Sequence, residues 1–219
     1  MLLDVKNINK SFDINKKTIQ ILNSLSFSVN HNEIVSIYGA SGSGKSTLLN
    51  IISGLMSYDV GSILFNEKLM NSEFDFIKFR KKDLGIVFQE DHLLMEFTVI
   101  ENIMLPSIIS GNSRKRAYHI AYNLLDRFGL LSIKDSYSNT LSGGEKQRVS
   151  ILRAVINNPK LILADEPTGS IDESNKEQIF SLFKEIVKEY DTSILIATHD
   201  NNVSKISNKI LNLSKGKIN

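Results

Sequence analysis

The chain has 219 residues, 42% of them hydrophobic and 23% charged, with 26 Lys and Arg against 24 Asp and Glu for a net charge of +2. Those proportions exclude a disordered or coiled-coil chain, and the charge gives no bulk electrostatic case for nucleic acid. Cysteine is absent, which removes disulfides, thiol catalysis and cysteine–metal sites together.

The start, Met1-Leu2-Leu3-Asp4-Val5-Lys6, has no basic segment ahead of an apolar run, so no secretory signal is expected. Apolar runs such as residues 161–164 and 194–197 are far shorter than the ~18–20 residues that cross a bilayer. The expectation is a soluble protein of the cytoplasm or of a cytoplasmic membrane face. Residues 2–8, 18–22 and 25–29 are short alternating or apolar runs between Asn/Lys-rich turns, which predicts an antiparallel sheet. Residues 33–38 predict a strand that enters a Gly-rich turn, and residues 45–53 the helix after it. Further strands are predicted at 62–65, 84–88, 161–164 and 193–198, with a closing hairpin from 210–213 and 217–218. Helical periodicity places Ile120, Ala121, Leu124, Leu125 and Phe128 on one face, and Ile179, Leu182, Phe183, Ile186 and Val187 on another. Strands alternating with helices predict an α/β fold with a mostly parallel central sheet. Residues 90–157 carry little strand character and read as an inserted helical subdomain; residues 1–89 and 158–219 read as the core.

The strongest motif is Gly39-Ala40-Ser41-Gly42-Ser43-Gly44-Lys45-Ser46-Thr47, a full G-x-x-x-x-G-K-[ST] phosphate loop between an apolar strand and a helix. Glycines let the backbone turn so that N–H groups and the helix N-terminus form an anion cradle. Lys45 is expected to reach β- and γ-phosphates, and the Ser46 hydroxyl to ligate Mg²⁺. Asp165 ends the apolar strand at 161–164, where α/β sheets bind ligands, and is a candidate for holding Mg²⁺ through water. Glu166, next in the chain, is placed to polarise an attacking water. In Leu141-Ser142-Gly143-Gly144-Glu145-Lys146-Gln147-Arg148, Ser142 and Glu145 have capping-box spacing. The paired glycines equally suit a bare helix start that grips phosphate.

Together these pieces resemble the ATP-binding subunits of ABC transporters over nearly the whole chain. The resemblance implies a phosphate-loop fold with an antiparallel β subdomain and a helical insertion. It assigns Phe12 to stacking on adenine, Gln89 to contact with Mg²⁺ and the membrane subunit, and Ser142, Gly143 and Gly144 to the family signature. Asp165 and Glu166 match the metal-binding aspartate and catalytic glutamate, Ser170-Ile171-Asp172 the D-loop, and His199 the switch histidine. Ala40, Glu145-Lys146 and Ile171 depart from the commonest residues without removing a phosphate-binding group. The resemblance further implies an active ATPase with ATP and Mg²⁺, two copies packed head to tail around ATP, two integral membrane subunits and the cytoplasmic face of a bacterial inner membrane. No nucleic acid partner is expected: Gly39 and Ser142 stand about a hundred residues apart with no heptad run between them. Phe97-Thr98-Val99-Ile100-Glu101-Asn102-Ile103, followed by Leu105-Pro106, resembles the branch containing lipoprotein-releasing, macrolide-export and cell-division ATPases. His92-Leu93-Leu94 ahead of it is most similar to the lipoprotein-releasing members.

Overall fold

The computed structural model describes residues 1–14, 17–169 and 171–218. Two long antiparallel strands come first, β1 (Leu3–Ile14) and β2 (Lys17–Val29). The runs at 18–22 and 25–29, read separately from sequence, belong to one strand. Ser24 sits between them at φ 49°, and the pairing with β1 slips there. An extra residue of this kind bends and twists a ribbon without ending it. Strand β3 (Ile34–Tyr38) leads through the glycine-rich turn into helix α1 (Lys45–Ile52). Strands β4 (Val60–Phe65) and β5 (Lys68–Leu69) rejoin the first sheet.

Helix α2 (Phe76–Lys78) continues into a π-type turn, Phe79–Asp83, ahead of β6 (Leu84–Val87). Sequence periodicity does not show this turn; Phe79 anchors it by edge-to-face contacts with Phe65 and Phe74. Three helices follow, α3 (Val99–Ile109), α4 (Arg114–Arg127) and α5 (Gly143–Val155). The chain then runs through β7 (Leu161–Asp165), α6 (Glu173–Glu189), β8 (Ser193–Thr198), β9 (Lys209–Ser214) and β10 (Lys217–Ile218).

The first sheet has the order β2-β1-β4-β5 and is antiparallel; the second has the order β10-β9-β3-β8-β7-β6. Strands β9, β3, β8, β7 and β6 are parallel, and β10 turns back on β9 as the expected hairpin. Strands β7 and β8 are almost wholly buried, the reason they read as unbroken apolar runs. Their side chains alternate between two cores. Ile162, Ala164, Ile194 and Ile196 pack with Ile103 of α3, Ala121 of α4, Leu152 of α5 and Phe183 of α6. Leu161, Leu163, Leu195 and Ala197 pack with Val5 of β1, Leu25 of β2 and Leu48 of α1. The central sheet is thus the wall between a helical core and a β-sheet core. In register, Tyr38 pairs with Thr198 and Asp165 with Ala197, so the C-terminal ends of β3, β8 and β7 lie side by side. Such a row of strand ends is where α/β sheets take ligands.

Candidate active site

The turn after β3 is tied to β8 by Gly39 N, which donates to Thr198 O at 3.2 Å. Gly44 caps α1 at φ 104°, a conformation that suits glycine, and supplies no side-chain cap. The first N–H groups of the helix therefore have no acceptor from their own helix or cap. The Lys45 ammonium is buried and donates to Gly39 O at 2.7 Å and Ala40 O at 3.1 Å, folding back over the loop it belongs to. Ser43 Oγ is buried with no partner among the described residues, while Ser41 and Gly42 are exposed. Thr47 is half-buried in the first turn of α1.

Two carboxylates close the other side. Asp165 ends β7, and its Oδ1 is buried with no partner among the described residues. Burial raises its pKa, and the Glu166 charge adds to that; a hydrogen bond with Ser46 and the charge of Lys45 pull the other way. An orphaned carboxylate oxygen beside a serine hydroxyl fits a hard divalent cation such as Mg²⁺. No group of three or more His, Asp or Glu converges on such an ion among the described residues. Most of its shell would come from water and phosphate, as Mg²⁺ prefers.

Glu166 lies in the left-handed region at φ 43°, which for a non-glycine residue costs on the order of 1–3 kcal/mol. The strained backbone is held by Glu166 N donating to Ala197 O at 2.8 Å. Its carboxylate is the hub of the site. Oε1 lies 3.2 Å from Lys45 Nζ and 3.0 Å from His199 Nδ1. Oε2 accepts from Thr198 Oγ1 at 3.0 Å and from His199 N at 3.2 Å. Burial pushes the carboxyl pKa up, but bonds from His199 and Thr198 with the charge of Lys45 outweigh that and hold it below its ordinary value. Glu166 therefore stays ionised at neutral pH, the state in which a carboxylate can accept a proton. The His199 ring is 64% exposed, so it can swing. Thr198, which carries no role in the sequence reading, contacts the carboxylate directly; a hydroxyl-bearing residue at the end of a buried strand was the available signal.

The start of α5 is built differently. Ser142 and Glu145 form the full capping box: Glu145 N donates to Ser142 Oγ at 3.4 Å, and Ser142 N donates to Glu145 Oε2 at 2.9 Å. Ser142 and Gly143 are nonetheless exposed, and a Cβ at Gly143 would meet nothing within 4 Å. Gly144 is buried, and a Cβ there would come within 2.7 Å of the Asn175 side chain. That amide donates to Asp172 Oδ2 at 2.8 Å, and Asp172 itself caps α6. Gly144 and Asp172, distant in sequence, are thus linked through one asparagine. Ser170 lies outside the described residues.

Phe12 is half-buried at the far end of the β1–β2 ribbon, with Lys10 Nζ 5.3 Å from its ring centroid. Gln89, just past β6, is exposed and makes no hydrogen bond among the described residues. The structure joins Lys45, Ser46, Asp165, Glu166 and His199 in one network; Phe12, Gln89 and Ser142 make no bond to it among the described residues.

A family model described as ABC transporter matches residues 22–169. The chain belongs to the ABC transporter family. Within it, the chain is an ATP-binding cassette that hydrolyses ATP. It is 45% identical to the lipoprotein-releasing system ATP-binding protein LolD of Buchnera aphidicola subsp. Acyrthosiphon pisum, over 89% of this chain and 86% of that one. It is 40% identical to the putative hemin import ATP-binding protein HrtA of Staphylococcus haemolyticus, over 100% and 99% of the two chains. Among solved structures, the dimeric MJ0796, a bacterial ABC transporter cassette, superposes with a TM-score of 0.89 at 34% identity, over 99% of this chain and 96% of that one. A second structure of MJ0796, dimeric in a post-hydrolysis state with ADP and Pi, superposes equally well over the same shares at the same identity. The antiparallel β subdomain and mostly parallel core expected of an ABC cassette are both present.

Proposed function

We propose that this cassette powers the release of lipoproteins from a bacterial inner membrane toward the outer membrane. The observation that carries the reading is the near full-length identity of 38–45% to proteins named for the lipoprotein-releasing system from several bacteria. The chain acts at the cytoplasmic face with two integral membrane subunits. Phe88, Leu94, Met95 and Phe97, all exposed around Gln89, give those subunits an apolar landing beside the sensing glutamine. Residues 90–157 serve as the helical subdomain and the remainder as the core.

In the mechanism, ATP lies on residues 39–47 with its base against Phe12, and Lys45 exchanges its loop carbonyls and Glu166 for the β- and γ-phosphates. Ser46, Asp165 and Gln89 would hold Mg²⁺, which would neutralise phosphate charge. A second copy presents Ser142, Gly143 and Gly144 to the γ-phosphate, with Asp172 at the joint between copies, so the nucleotide closes a dimer. Glu166 orients water and takes its proton as the water oxygen bonds to the γ-phosphorus. The bond to the bridging oxygen breaks, ADP carries off the electron pair, and His199 steadies the γ-phosphate. With its joining charge divided, the dimer reopens. Positioning and charge neutralisation supply most of the rate in such chemistry.

The test is capture of tagged Glu166→Gln chain from native membranes with ATP. Recovery of two related membrane subunits together with lipoproteins is the expected result. The HrtA match favours a second reading, a cassette for hemin movement, and recovery of hemin-linked membrane subunits instead would establish that reading.

A further inference from the structure

We infer that Thr198 is the positioning residue of Glu166, dividing its carboxylate into an anchored oxygen and a working one. The inference rests on Glu166 being the group that orients water. The two oxygens have partners of opposite character. Oε1 faces Lys45 Nζ at 3.2 Å and His199 Nδ1 at 3.0 Å, the two side chains that the proposed mechanism turns toward the γ-phosphate. Oε2 faces Thr198 Oγ1 at 3.0 Å and the backbone N–H of His199 at 3.2 Å, at the end of β8 and the residue after it, and the proposed mechanism calls neither away to phosphate.

The direction of the Thr198 bond is forced. An ionised carboxylate only accepts, so Thr198 Oγ1 donates to it, while a lone pair of the same hydroxyl accepts from Asp200 N at 3.0 Å. Thr198 is 1% exposed, its carbonyl is held by Gly39 N and its Oγ1 by Asp200 N, so backbone and hydroxyl are both placed before any ligand arrives. Asp200 is fixed in turn by Lys176 at 3.0 Å and by Thr168 Oγ1 at 3.4 Å. When Lys45 and His199 turn to phosphate, Oε1 loses both partners while Oε2 keeps both. The carboxylate then cannot rotate freely, and its uncommitted oxygen is the one on the phosphate side. Pre-orientation of this kind raises turnover without tightening ATP binding.

The experiment is steady-state ATP hydrolysis by the full chain as native protein, Thr198→Val, Thr198→Ser and Glu166→Gln, with folding checked by thermal melting. Valine keeps the shape and deletes the donor; serine keeps the donor and deletes the methyl. A hydrogen bond to a charged group predicts a fall in kcat of at least about tenfold for Thr198→Val, with KM within about twofold and Thr198→Ser within about threefold of native. Should Thr198→Val melt before assay, Thr198→Ala takes its place with the same expectation. Native kcat in the donor-free variant, or equal losses in it and in Thr198→Ser, overturns the inference. Native turnover in Glu166→Gln instead removes the water-orienting role itself, and the inference with it.

Discussion

Helices α1 and α5 both begin in glycine-rich turns, yet the chain treats the two ends differently. At α1, Lys45 is buried and bonded, and Ser46, Asp165, Glu166 and His199 converge from three neighbouring strand ends. At α5, Ser142 and Gly143 are exposed, and among the described residues Ser142 is bonded to Glu145 in the same turn. The first is a site assembled by the fold. The second is a capped, solvent-facing edge, which in the proposed mechanism meets the nucleotide of a second copy. Gly144, packed on Asn175, ties that edge to the cap of α6 and so to Asp172.

The α1 site is most sensitive at Glu166. Glu166→Gln removes the base and leaves the phosphate loop intact, so turnover should fall by at least about a hundredfold with ATP affinity retained. Loss of ATP binding in a filter or fluorescence assay would mean that Glu166 is needed to build the loop.

At the outward edge, Gly143→Asp adds an acid to the first turn of a helix with open space for it. That change should leave the fold as stable as before or raise it by about 0.5 kcal/mol, because acids suit helix starts. It should nonetheless lower turnover at least about tenfold, because a carboxylate there repels the partner's nucleotide. Reduced melting temperature with native turnover would place the edge in folding alone.

Ser142→Ala deletes the cap and should cost about 1 kcal/mol of stability, readable by denaturant titration. The smallest effect concerns pH. The Ser142 hydroxyl and backbone N–H hold the Glu145 pKa below its ordinary value. A depressed folded value means the stabilisation is present above the unfolded carboxylate pKa and lost as pH falls through the folded one. The difference in melting temperature between native protein and Glu145→Gln should therefore be largest near neutrality and vanish in acid.

The phosphate loop, the buried strands β7 and β8, and the capping box of α5 were legible because each is written in a few consecutive residues. The partners of Glu166 were not. They depend on β7 lying beside β8 with Asp165 opposite Ala197, on the left-handed turn at Glu166, and on a hydroxyl at the end of the neighbouring strand. No periodicity reports those. The link from Gly144 to Asp172 is likewise tertiary, running through Asn175. Strand β2 reads from sequence as two pieces because Ser24 interrupts the alternation without ending the strand, and β1 runs past the expected residues 2–8 to Ile14. The π-turn at Phe79–Asp83 has no apolar period at all and is held by aromatic contacts from elsewhere.

The most direct measurement is the molar mass in solution of Glu166→Gln, with and without ATP and with Gly143→Asp added, by light scattering on a sizing column. The two-ended account predicts a monomer without ATP, a dimer with it, and a monomer that still binds ATP once Gly143→Asp is present. A chain that stays monomeric with ATP bound, or a dimer indifferent to Gly143→Asp, would contradict it.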